Sequence, residues 1–219
     1  MKKIIIFGGA GTSINIAEQM EDAAKNYGLK VELLGFANDD ESLGGYINDY
    51  PVLCKTSEVK DKYDHKDIGY IFSMYNIKKM KERIDLLNNF QIEKEKFYTF
   101  IHPSVYVSKT AKIGKGTVIL SNSTIQNNVV IGDFNIINSN VVVEHNTCIQ
   151  DYNFIAACSC IGANVIVGKG CFFGLHSSIR EHIKIENYAV VGMASNVIKN
   201  IKQNEIHCGN PAIFKRVID

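Results

Sequence analysis

The chain lacks three features that would place it in other functional classes. The first is a block of like charge: 24 Lys and Arg face 23 Asp and Glu, a formal net charge of +1. With no basic patch and no RNA-binding fingerprint, nucleic acid is not an expected partner. The second is a long apolar run. None approaches the ~18–20 residues of a membrane span, so no span is expected. Met1–Lys3 leads straight into an Ile-rich segment without a cleavage-site pattern, so no signal peptide is expected and the chain reads as cytoplasmic. The third is a metal-type cysteine pair. The six cysteines are Cys54, Cys148, Cys158, Cys160, Cys171 and Cys208. Cys158-Ser-Cys160 has the wrong gap, and its two side chains would point to opposite faces of a strand. The cysteines read as buried free thiols.

What the sequence does have is a period of six. From Ile101 through Val107, Ile113 and Ile119 to Val191 and Val197, seventeen positions six apart carry Ile, Val or Phe without a slip. Neither a helix, with its 3.6 period, nor an ordinary strand, with its 2 period, produces this pattern. It is the signature of a hexapeptide parallel β-helix, in which three hexads make one coil and residue i stacks under residue i+18. The fourth position after each aliphatic is small or β-branched, as a narrow interior requires. Asn135 and Asn153 are exceptions one coil apart, and they are expected to stack as an amide ladder. Five to six coils without a long inserted loop are expected.

Residues 1–99 have no such period. Lys3–Phe7, Val31–Phe36, Tyr50–Leu53 and Tyr70–Ser73 read as strands, and Ile14–Tyr27 and Ile77–Leu87 as helices. This alternation implies a parallel sheet with crossovers, a small Rossmann-like domain. Gly8, Gly9 and Gly11 lie between the first strand and the first helix. Backbone N–H groups there can face a phosphate, or the glycines can serve a tight turn alone. Asp39 and Asp40 follow the second strand, at the sheet edge where open α/β sheets bind ligands; a solvated turn is the alternative.

Of six histidines, His145 stands out. It follows the inward Val143 by two residues, so it occupies an outer corner, next to Glu144 and seven residues after Asn138. An outward imidazole can serve as a general base in a groove between subunits; the alternative is an ordinary surface histidine. His145 is not offset from His176 or His182 by a multiple of eighteen. No three imidazoles therefore meet within a subunit, and no metal is expected.

Several motifs carry a resemblance over nearly the whole chain: the Gly8–Gly11 turn, Gly35-Phe36 with Asn38-Asp39-Asp40, Tyr50-Pro51-Val52-Leu53, Phe100-Ile101-His102-Pro103-Ser104, Asn138 through Glu144-His145, and Gly209-Asn210-Pro211-Ala212. The chain resembles the bacterial nucleotide-sugar N-acetyltransferases and sialic-acid O-acetyltransferases, which join a Rossmann-like domain to a left-handed β-helix. The resemblance implies a nucleotide-sugar-binding domain over 1–99 and an acyltransferase β-helix over 100–219. It implies a homotrimer with acetyl-CoA in the groove between two β-helices. His145 would be the base, with Asn138 and Glu144 as supports, and a backbone N–H near Cys158 would hold the oxyanion. Phe154, Cys158, Gly174, Leu175, His176, Gly192 and Met193 would line the acetyl-CoA channel. Gly8, Gly9, Gly11, Asp39, Asp40 and Asn76 would bind the nucleotide-sugar.

The chain departs from the family pattern at Phe154, where a second histidine is usual, at Cys158 and Tyr75, where glycine is usual, and at Thr12, where histidine is common. His176, one coil above Cys158, is the candidate to replace the missing histidine. Three readings follow: acetyl transfer to a 4-amino-4,6-dideoxy sugar on a nucleotide, acetyl transfer to a sugar hydroxyl, or a trimer that binds a nucleotide-sugar without turning it over.

Overall fold

The computed structural model describes residues 1–63 and 67–218. His65 lies outside the described residues. The N-terminal part is an α/β unit. β1 (Lys2–Phe7) carries Ile4, Ile5, Ile6 and Phe7 fully buried in succession, the pattern of a strand covered on both faces. α1 (Thr12–Tyr27) buries Ile16, Ala17, Met20 and Ala23 on one stripe. β2 (Val31–Ala37), β3 (Tyr46–Ile47), β4 (Tyr50–Cys54), α2 (Val59–Tyr63), β5 (Ile68–Phe72) and α3 (Met80–Asn89) follow. The sheet order is β3-β4-β2-β1-β5. β1 runs parallel to β2 and β5, and β2 parallel to β4, while β3 is antiparallel to β4. The sequence pattern missed the short β3 and α2, and it started α3 three residues early. Asn76 explains the late start: its side-chain oxygen accepts from Lys78 N and its carbonyl from Lys79 N, holding this segment in a turn.

From Phe100 onward the chain coils through two-residue strands that build three parallel sheets. Face one begins with Phe100–Ile101, face two with Tyr106–Val107 and face three with Lys112–Ile113. Their sheets hold eight, six and five strands. Each strand pairs with the one eighteen residues on, as in Thr124↔Val142 and Val142↔Cys160. No helix interrupts the coil. Two further strands, Glu205–Cys208 and Ile213–Val217, close face one with an antiparallel hairpin that the six-residue period did not foretell.

The periodic aliphatics form one continuous core from Ile119 to Ile201, with Phe173 its largest member. The expected amide ladder takes a different form. Asn135 Oδ1 accepts from the backbone N of Asn153, and Asn153 Oδ1 from the backbone N of Cys171, at 2.9 and 2.7 Å. Their Nδ2 groups turn back to the carbonyls of Gly132 and Gln150. A buried amide must satisfy both ends, and the backbone offers partners that a second amide one coil away does not. Thr117, Ser123 and Thr147 follow the same rule, each hydroxyl accepting from the N–H one coil on. The cysteines are less uniform than expected: Cys54 and Cys171 are buried, but Cys148 and Cys158 are exposed.

The corners explain a composition bias. From Ile113 to Val191 the third residue after each inward aliphatic has a positive φ, among them Asn128 (58°), Asn140 (60°), Asn146 (57°), Cys158 (61°), Asn164 (56°), His176 (57°) and His182 (59°). Asn is the non-glycine residue best suited to this region, and it is the commonest residue there.

The α/β unit sits on the outer side of face one. Val118, Leu120 and Ile136 share a cluster with Ile16, Met20 and Phe36. His102 is buried at this seam. Ser104 N donates to its Nδ1, so the proton sits on Nε2, which donates to Asp22 of α1 at 2.9 Å. Asp22 is held below the usual carboxylate range by Asn26 first and His102 second. Gln19 adds two bonds, accepting from Ser121 N and donating to Ser139 Oγ. On the other flank, Tyr75 donates to the carbonyl of Phe134, and Lys94 pairs with Asp133 at 2.8 Å.

Candidate active site

The predicted residues fall into three groups. The first lies at the C-terminal ends of β1, β2 and β5. Gly8 N donates to Ala37 O, Ser73 N to Phe7 O, and Asn38 Nδ2 to Gly8 O, so the three strand ends form one edge. Ser13 Oγ accepts from Gly9 N and bonds Ser73 Oγ at 2.8 Å, which clamps the glycine turn. Gly8 has φ 137°, and a Cβ there would run into Ser13 Oγ and Ser73 Oγ. The turn therefore has strong internal reasons for glycine. α1 begins here with no side-chain cap and no acidic residue in its first turn; Ser13 N and Ile14 N donate to Ala10 O and Gly11 O, and the N–H groups of Ala10, Gly11 and Thr12 meet no acceptor among the described residues. Asp39 and Asp40 have structural duties. Asp39 accepts from Thr56 N and Thr56 Oγ1, and Asp40 from Ser42 N and Ser42 Oγ, which lower its pKa. Asn76 sits at the same edge after β5, with its side chain in the turn described above.

The second group lies on face one and on the corner between faces one and two. Asn138 is buried and donates to Ile155 O at 3.0 Å. Phe154 stacks on Phe172, with centroids 5.1 Å apart and planes within 3°, and meets Tyr75 at 6.4 Å. Two of the departures from the family pattern thus touch each other. Gly174 and Gly192 follow one above the other, and a Cβ on Gly174 would strike the backbone at Met193. Leu175, His176 and Met193 project outward at the corner, Met193 with 70% exposure. Cys158 N donates to Ser139 O at 3.1 Å, as corner N–H groups do throughout the coil. The coil thus already engages the N–H of Cys158 itself.

The third group stands on the next corner, between faces two and three. Glu144 faces outward on face two. Together with burial, which dominates, its charge raises the neighbouring Cys160 thiol. His145 is exposed at the corner, and its Nδ1 lies 2.9 Å from Nδ2 of Asn146. Asn138 and Glu144 make no hydrogen bond to the imidazole among the described residues. Ala163 follows His145 by eighteen residues, one coil above it, and its N–H meets no acceptor among the described residues. A cavity of about 350 Å³ between the start of α3 and the third corner holds none of the predicted residues; Lys78, Met80, Gly170 and Tyr188 line it. Among the described residues no cluster of His, Cys, Asp and Glu could hold a metal ion, and no helix is long and apolar enough to cross a membrane.

No protein-family model and no curated sequence matches the chain. Solved structures do. The acetyltransferase domain of PglB from Neisseria gonorrhoeae superposes with a TM-score of 0.85 at 21% identity, covering 98% of this chain and 100% of that one. The same domain in complex with acetyl coenzyme A gives 0.84 at 20% identity, over 98% and 99% of the two chains. PerB from Caulobacter crescentus, in complex with CoA and GDP-perosamine, gives 0.78 at 20%, over 99% and 98%. This chain has their fold.

That shared fold spans both parts of the molecule, so the three groups of residues belong to one architecture. Sequence reasoning placed His145 at an outer corner, where it is. It missed Asn146 and Ala163, although the same eighteen-residue arithmetic reaches both. It also missed the roles of Ser13, in the first turn of α1, and of Asn38 and Ser73, each one residue beyond the end of a buried strand.

Proposed function

We propose that the chain is an acetyl-CoA-dependent acetyltransferase acting on a nucleotide-linked amino sugar of the 4-amino-4,6-dideoxy type. Residues 1–99 form the Rossmann-like unit that binds the nucleotide, and 100–219 the left-handed β-helix that carries out acyl transfer. The observation that carries this reading is His145: an exposed imidazole with no structural duty, on a β-helix whose fold is shared with acetyltransferases of known structure. Asn138, Phe154 and Leu175 stand on a different part of the coil from His145. A site that uses all of them is complete only when a second copy brings its own corner alongside, so the working unit is a homotrimer with grooves between subunits.

In the groove, His145 accepts the proton of the sugar amine as its nitrogen attacks the thioester carbonyl. The C–N bond forms, the C–S bond breaks, and the CoA thiolate leaves with that proton. Asn138 of a neighbouring copy supports the imidazole across the interface, and Glu144 supports it from the same chain. Leu175, His176 and Met193 line the pantetheine path with Gly174 and Gly192, beside Phe154 and Cys158. The oxyanion is held by an outward backbone N–H, and that of Ala163 is suited because it is unclaimed and one coil from the base. The nucleotide phosphates meet the Gly8, Gly9 and Gly11 turn at the α1 N-terminus. Asp39, Asp40 and Asn76 bound the same edge, and a nucleotide would reach their remaining lone pairs.

The test is release of free thiol from acetyl-CoA in the presence of UDP-, dTDP-, GDP- or CMP-linked 4-amino-4,6-dideoxy sugars, with light scattering for the assembly. Thiol release that needs both substrates, from a particle of three chains, is the expected result. Release with hydroxyl acceptors only would reassign the acceptor. Binding without release would make the chain a non-catalytic nucleotide-sugar-binding trimer, and a stable monomer would remove the groove.

A further inference from the structure

The corner that carries His145 also carries a column of amides. Asn128 and Asn146 are eighteen residues apart, both in the left-handed region at φ 58° and 57°, so the coil stacks them. Asn128 Nδ2 donates to Asn146 Oδ1 at 3.0 Å, and Asn146 Nδ2 lies 2.9 Å from His145 Nδ1. Below them Asn128 N donates to Thr110 Oγ1 at 2.9 Å, anchoring the column on the preceding coil. Nε2 of His145 has no partner among the described residues.

This geometry has a consequence for the imidazole. With Asn146 donating to Nδ1, the neutral ring must carry its proton on Nε2. Both ring nitrogens are then occupied and the histidine has no lone pair to offer. An amide's oxygen and nitrogen exchange places on a half-turn. If both amides turn together, both bonds survive: Asn146 Nδ2 donates to Asn128 Oδ1, and Asn146 Oδ1 accepts from Nδ1–H. The lone pair then lies on Nε2, aimed outward. The same orientation holds the imidazolium after proton uptake, because Nδ1–H keeps its acceptor.

We propose that Asn146, steadied by Asn128, is a positioning residue that sets the tautomer of His145, the pair of amides switching the imidazole between an idle form and a base. The proposal rests on the acyltransferase reading for its catalytic meaning, but the tautomer itself can be read without turnover. Asn146→Gly and Asn146→Asp both tolerate the left-handed backbone, so neither confounds the experiment with a strained corner. In ¹⁵N NMR of histidine-labelled full-length protein, the expected wild-type spectrum shows two tautomers in exchange, the Nε2–H form that the present amide orientation requires and the Nδ1–H form of the turned pair. Asn146→Asp, which can only accept at Nδ1–H, should hold the Nδ1–H form. Asn146→Gly should shift the balance toward the Nε2–H form, and Asn128→Gly should move it the same way by less.

In thiol-release assays Asn146→Gly should lower kcat by about tenfold or more with KM unchanged, and Asn146→Asp should restore most of it. Unchanged tautomer populations in Asn146→Gly would overturn the proposal, as would an equal loss of kcat in the Asp and Gly variants. Wild-type protein that transfers no acetyl group would sink the acyltransferase reading instead, and the tautomer measurement would still decide the role of Asn146.

Discussion

The two halves of this molecule handle candidate site residues in opposite ways. In the α/β unit those residues also hold the fold. Gly8 is required by its φ and by two serine hydroxyls, Asp39 caps the Thr56 turn, and Asp40 caps the Ser42 turn. In the β-helix, Asn138 and Gly174 excepted, the two duties are separated by direction. Inward positions such as Ile155, Phe173 and Val191 carry the core, and the outward His145, Leu175 and Met193 carry none of it. A strand's alternation allows this separation, because neighbouring side chains point to opposite faces. A loop at a sheet edge has no such alternation.

The largest effect should come from an outward position. His145→Ala is expected to lower turnover about 10²–10⁴-fold, with the unfolding midpoint unchanged, because the ring supports nothing in the core. Kinetics and urea denaturation on the same sample check both halves. Phe173→Ala is the converse: it opens a cavity in the coil and should cost about 3–5 kcal/mol of stability by urea unfolding. Gly8→Ala should blur the distinction. It forces a side chain into a region nearly closed to it, so about 1–3 kcal/mol of stability and nucleotide affinity should fall together in thermal-shift titrations. A variant that lost affinity alone would show that the glycine turn also separates the two duties.

His176→Ala sharpens the comparison within the β-helix. The ring is exposed one coil above Cys158, roughly 5 Å by strand spacing, and losing it should slow acyl transfer about tenfold at constant stability. An unaltered rate would leave the oxyanion to backbone N–H alone. The smallest effect concerns Cys171, whose thiol is pushed up to about 12 by burial. In the unfolded chain a thiol ionises near pH 8.5, so the folded state binds this proton more tightly. The stability it contributes is complete below that pH and is lost as pH rises toward 12. Alkaline melting curves should therefore flatten in Cys171→Ala. Alkylation should reach Cys148 and Cys158 in native protein but Cys171 only on unfolding.

The coil was legible because one pattern dictates every rung: Ile119 to Val197 kept register and all point inward. His145 was legible for the same reason, since a corner is a place in a count. Hydrogen bonding was not. Nothing in the spelling of Asn135 and Asn153 says whether an amide meets another amide or a backbone N–H. Nothing around Cys158 announces that its N–H is spoken for by Ser139. The seam was half visible. His102-Pro103-Ser104 marked the junction, but Gln19, Asp22 and Tyr75, which fasten it, lie far off in sequence and carry no local sign.

The corner geometry makes the β-helix a ruler with a single graduation. Removing or duplicating eighteen residues between Ile125 and Ile185 would shift everything above by about 4.8 Å along the axis and leave every outward side chain on its own face. Removing six would turn the whole upper prism by one face and break the match with the hairpin that closes it. The height between the imidazole and the glycine turn is therefore quantised. A chain built this way would adjust its reach to a longer or shorter acceptor in whole coils, not by remodelling loops, and the length of a β-helix becomes a property that selection can set independently of its chemistry.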